Sequence, residues 1–140
     1  MFHPWRVLRF LQFVVVEWVR PHPNLIAATD GRSRIWMDPR LSQVERRCVL
    51  THELVHIRYG HTGCQPAVVE RWVRTETARY LIALKDLQRA AVWALSIPEL
   101  ADELWVTELV LNDRLRNLTP GEWKTLPADV RRYAQRLWRQ

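Results

Sequence analysis

Apolar residues in the first forty positions alternate with polar ones or run together over short stretches. From about residue 42 onward they recur every three or four positions. The change of rhythm predicts a strand-rich start followed by a helical remainder. Pro4 to Leu11 suits one short helix with proline in its first turn. Phe13 to Val19 is rich in β-branched and aromatic residues and predicts a strand, stopped by Pro21-His22-Pro23-Asn24. Leu25 to Ala28 predicts a second strand, and Thr29-Asp30-Gly31-Arg32 a hairpin turn. Arg34 to Asp38 then alternates as a third, half-buried strand until Pro39. A small antiparallel sheet is expected, with Ile35-Trp36-Met37 exposed enough to receive an extended peptide.

The helical rhythm opens with Ser42-Gln43-Val44-Glu45, a capping box. Gly60 suits the left-handed position that closes a helix, so a helix is predicted over about 42–59. Leu50, Leu54 and Ile57 form its apolar row. Pro66 starts a second helix reaching about Ile82, and a third covers about 84–95. Two short helices joined by a tight turn follow at Leu100–Val106 and Leu109–Leu115. Thr119 to Trp123 reads as a break, and a last helix spans about Ala128–Arg139. The fold class predicted is α+β, a small antiparallel sheet packed on a helical core. Residues 1–83 form that core domain, and 84–140 form a helical C-terminal extension packed on it.

Composition changes this picture little. With 140 residues the chain is long enough for a proper core, and its eight tryptophans predict a compact globule rather than a disordered chain. The net charge is +6, and 19 of the 21 basic residues are Arg. Most of the excess lies in residues 1–50, where 8 Arg face 4 acids. The stretch at about 98–118 is helix-turn-helix-like, but Trp105 stands where the turn usually has Gly. Its second helix sets Glu108 and Asp113 against Arg114 and Arg116, a poor match to phosphates. Packing on the core or a partner is the expectation there, with DNA binding the alternative function. The basic, amphipathic tail from Arg131 to Arg139 is expected to dock on the domain. Cys48 and Cys64 lack CxxC spacing and read as reduced thiols. The apolar run from Phe10 to Val16 is too short for a membrane span and lacks a signal-peptide pattern, so a cytoplasmic location is expected.

The chemistry lies in His52-Glu53-Leu54-Val55-His56, an HExxH motif. Residues four apart on a helix stack on one face, so the two imidazoles can take adjacent corners of a Zn²⁺ tetrahedron. Glu53 can reach a metal-bound water without being a ligand, as a general base must. A third ligand is required. Metzincins would place Gly and His three and six residues after His56, but Tyr59 and Thr62 stand there. His61 is close enough to line the site or to cap the helix, and Tyr59, His61 and Tyr80 are all candidates for steadying an oxyanion. The next helix offers two carboxylates. Glu70 heads a row with Val73, Thr77 and Leu81, and Glu76 shares one with Val69, Val73 and Tyr80. Each has a plain surface alternative, Glu70 paired with Arg74 and Glu76 with Arg79. Periodicity alone does not choose between them.

Arg46 to His56, Gly60-His61, Glu70-Arg71-Trp72-Val73 and Ala78-Arg79-Tyr80-Leu81-Ile82 together resemble the ImmA/IrrE-type metallopeptidase family. The resemblance covers roughly residues 30–85. It implies a zincin-like core, zinc as cofactor, and His52, His56 and Glu70 as ligands with Glu53 catalytic. It also implies a regulatory peptidase whose protein substrate is a DNA-binding repressor, often encoded in prophages or mobile elements. One position departs from the pattern: the family usually has Asn or Asp four residues after the zinc Glu, and this chain has Arg74. A metal site without catalysis, in a protein-interaction module, is the other reading.

Overall fold

The computed structural model describes residues 1–140 as eight helices and three strands. A short helix α1 (Pro4–Phe10) precedes β1 (Val15–Glu17), β2 (Ala27–Thr29) and β3 (Arg34–Met37). Then come α2 (Gln43–Arg58), α3 (Ala67–Leu81), α4 (Leu84–Trp93), α5 (Ile97–Glu103) and α6 (Glu108–Arg116). The chain ends in α7 (Pro120–Lys124) and α8 (Ala128–Trp138). The architecture is α+β, as the change of rhythm predicts.

The sheet differs from the expectation in two respects. It is mixed rather than antiparallel: β3 lies in the middle, paired antiparallel with β2 and parallel with β1. The β2–β3 hairpin forms as Asp-Gly predicts, and Asp30 Oδ1 accepts the backbone N–H groups of Arg32, Ser33 and Arg34 at 2.8–3.0 Å. The connection from β1 to β2 through the two prolines is no hairpin, which lets β1 reach the far side of β3 in parallel. The stretch Ile35-Trp36-Met37 is consequently not an exposed edge. Both its neighbours are strands, and Ile35 and Met37 are fully buried. The edge strands are β1 and β2.

Helix α2 is closed at both ends as predicted. Ser42 and Glu45 form a complete capping box. Gly60 takes φ +67°, and the His61 and Gly60 amides return to the carbonyls of His56 and Ile57 at 2.9 and 3.1 Å. Leu50 and Leu54 pack under the sheet with Val14, Ile35, Met37 and Leu41. On its other side, Cys48 joins Leu81, Ile82 and the apolar residues of α4 to α8 in a second, larger cluster. The C-terminal helices thus share a core with α2 and α3. Thr119 to Trp123, expected as a break, closes into α7 because Thr119 and Glu122 form a second capping box.

Buried Arg47 ties distant segments together through carbonyls alone. Its Nη1 donates to Trp105 O at 2.6 Å, and its Nη2 to Phe2 O at 2.9 Å and Leu81 O at 3.4 Å. Trp105 has φ +56°, the only non-glycine residue with positive φ, so the turn after α5 has the left-handed form usually left to Gly. Helix α6 packs between α3 and α8. The tryptophans do not build the core as their size suggests. None is buried, and six of the eight are exposed. They pair at the surface instead: Trp5 stacks on Trp18, and Trp123 meets Trp138 with ring centroids 4.9 Å apart.

Candidate metal centre

Helices α2 and α3 lie against each other, and the buried row Val73, Thr77 and Leu81 fixes which face of α3 turns inward. Glu70 heads that row, so its carboxylate meets the imidazoles of α2. His52 Nε2 and His56 Nε2 are 3.2 Å apart. Glu70 Oε2 lies 3.3 Å from His52 Nε2, and Oε1 lies 3.2 Å from His56 Nε2. A tetrahedral ion with bonds of about 2.0–2.1 Å needs ligand atoms roughly 3.3–3.4 Å apart. His52, His56 and Glu70 form a group that could hold a metal ion. Glu76 makes no hydrogen bond or ion pair and stands outside this group. Neither carboxylate takes its expected surface partner, since Arg74 binds Asp113 while Arg79 turns to Glu122 and the Asn117 carbonyl.

Protonation suits a metal as well as distance does. Burial pushes the pKa of both imidazoles down and the neighbouring imidazole adds to this, although Glu70 pulls the other way. Both rings therefore stay neutral with a lone pair to give. His61, sent back along the helix by the Gly60 turn, places its Nδ1 3.1 Å from His56 Nδ1. His56 can donate its second ring N–H there, which fixes the tautomer that leaves Nε2 free. His61 is thus a neighbour of the triangle rather than a member of it.

Glu53 is 7% exposed and points into the same region. Burial, and then the negative charge of Glu70, push its pKa from the ordinary 4.5 up to about 8. It forms no hydrogen bond with protein groups. His52 and Glu53 line a cleft of about 630 Å³ whose far walls come from the 24–27 segment and from α6. Exposed Leu25, Ile26 and Leu109 give its lining an apolar part. The contribution of α6 to this wall, through Thr107, Leu109, Val110 and Asp113, has no signal in the sequence.

The other candidates lie outside the cleft. Tyr59 meets Trp72 edge to face at 4.7 Å and, with His61, flanks the His56 side. The Tyr80 hydroxyl accepts from Arg58, and its ring packs near Phe2. Cys48 is buried and Cys64 exposed, and both are free thiols. No helix is long and apolar enough to cross a membrane. No protein-family model, no curated protein and no solved structure matches this chain.

Proposed function

We propose that the protein is a zinc-dependent peptidase that cuts an extended peptide segment lying in the cleft beside Glu53. The supporting observation is the triangle of His52, His56 and Glu70 with tetrahedral spacing, set beside a buried carboxyl at the head of an open cleft. These three side chains would hold the ion. A zinc ion there supplies Lewis acidity toward a carbonyl and a water acidified toward neutrality. Glu53 carries the proton: as carboxylate it takes one from water, and as carboxylic acid it returns one to the leaving amine. Its high pKa in the metal-free chain falls next to a dication, which favours the carboxylate. His61 keeps the His56 ring oriented.

Substrate placement is supported by the free edge of β2. The Asp38 amide donates to Ile26 O and the Asp30 amide to Arg34 O, so residues 26 and 30 face β3. By alternation, the N–H and C=O groups of Ala27 and Thr29 face away from β3. Ala27 lines the cleft, so a peptide added there as a fourth strand passes along it. The apolar part of the cleft lining favours a substrate with apolar side chains. The resemblance to the ImmA/IrrE type, rather than the geometry, suggests a DNA-binding repressor as the natural substrate. Two free thiols suit the reducing cytoplasm, where we place the reaction.

The test is cleavage of a generic unfolded substrate such as casein by zinc-loaded protein. Chelation should abolish cleavage, and zinc should restore it. Glu53→Gln should keep its zinc while kcat falls by about 100-fold or more. Cleavage that survives either treatment rules the reading out.

A further inference from the structure

Arg74 stands one helical turn after Glu70 on the same face of α3, and it is the only Arg or Lys lining the cleft. Its Nε donates to Asp113 Oδ2 at 3.0 Å and its Nη2 to Asp113 Oδ1 at 2.8 Å. Such a two-point grip fixes the plane of the guanidinium, so the remaining Nη1 is held in one direction. Nη1 has no protein partner. Asp113, supplied by α6, is 7% exposed.

An uncompensated cation here would oppose a dication on the neighbouring imidazoles. Asp113 cancels that charge and leaves the N–H donors in place. We propose that Arg74, oriented by Asp113, is the donor that binds the scissile carbonyl oxygen as negative charge builds on it. This rests on the peptidase reading above.

Arg74 offers the substrate an N–H donor held in place by Asp113. An amide oxygen that gains charge only in the transition state needs an aligned donor in a sheltered site, not a net charge. Tyr59 packs on Trp72, His61 faces His56 through its Nδ1, and the Tyr80 hydroxyl accepts from Arg58, whereas Arg74 lines the cleft with a free Nη1.

The experiment uses full-length, zinc-loaded wild type, Arg74→Gln, Asp113→Asn and the double variant. Calorimetry measures two probes with the same Phe and Leu side chains. One is a phosphinic pseudopeptide, which presents a tetrahedral oxyanion, and the other is a hydroxamate, which ligates metal without one. Arg74→Gln should weaken the phosphinic probe by about 100-fold and the hydroxamate by less than about threefold. Zinc affinity, measured by chelator competition, should fall several-fold in Asp113→Asn and recover in the double variant. Equal loss of both probes, or loss of neither, overturns the inference, as does a wild type that binds no phosphinic probe. Unchanged zinc affinity in Asp113→Asn overturns the role given to Asp113. Should Asp113→Asn fail to fold, Arg74→Gln decides alone, since that side chain is 39% exposed. A wild type that shows the full pattern but cleaves no casein removes the peptidase reading and leaves Arg74 as an oxyanion-binding residue.

Discussion

Glu53 shows what a single residue costs and supplies. A carboxyl whose pKa rises from 4.5 to about 8 on folding stays protonated in the folded, metal-free chain at neutral pH. The unfolded chain ionises from about pH 4.5 upward, so the stability penalty grows between pH 4.5 and about 8 and is absent below. Glu53→Gln removes it. Urea unfolding should find metal-free Glu53→Gln more stable than metal-free wild type by on the order of 3 kcal/mol at pH 8, and equal to it at pH 4. Zinc should narrow the gap at pH 8. The HExxH spacing announces both imidazoles and this carboxyl, because i,i+4 stacking is a local property of one helix. The choice of Glu70 over Glu76 is not local. It depends on which face of α3 turns toward α2, and that is visible only once Val73, Thr77 and Leu81 are seen buried.

Between elements, two glycines hold the loop that delivers His61. Gly60 has φ +67° but nothing within 4 Å of an added Cβ. Gly60→Ala should therefore lose only the left-handed strain, about 1 kcal/mol. Gly31, at the tip of the β2–β3 hairpin, has φ +75° and would place a Cβ 2.1 Å from the carbonyl oxygen of His61. Backbone must move to relieve that collision. Gly31→Ala should lower the thermal midpoint more than Gly60→Ala does, and should also weaken zinc binding through the His61–His56 contact. If the two variants lose stability equally and Gly31→Ala keeps wild-type zinc affinity, the hairpin does not support the site. Asp-Gly predicts the hairpin, but the meeting of its tip with His61 is a tertiary contact that no local pattern records. The same limit explains the sheet: each strand is readable from its composition, yet the parallel pairing of β1 depends on where the prolines lead the chain.

For the whole molecule, the C-terminal helices are part of the cleft and not an appendage beside it. Helix α6 gives Asp113 to Arg74, and Glu122 of α7 binds Arg114 at 2.9 and 3.1 Å with Arg79 of α3 at 3.5 Å. Arg114 first, with the Thr119 amide and Arg79 adding to it, holds the Glu122 pKa near 2 against an ordinary 4.5. That stabilisation is complete above pH 4.5 and is lost as pH falls toward 2. Acid titration by circular dichroism should show wild type losing stability across that window. Glu122→Gln should be less stable at pH 7 and flatter below pH 4.5, and identical acid profiles would refute the anchoring role. The sequence shows these helices through their periodicity. It does not show their docking, because Arg114 and Glu122 look like ordinary surface charges until they are brought together. The tryptophans mislead for a related reason: a large side chain can cover a surface without entering the core. A metal site between α2 and α3 is tested most directly by the metal content of the purified protein, measured by mass spectrometry. One zinc per chain is expected, lost in His52→Ala and in Glu70→Ala and kept in Glu76→Gln. Wild type with no stoichiometric metal, or His52→Ala with unchanged content, would contradict it.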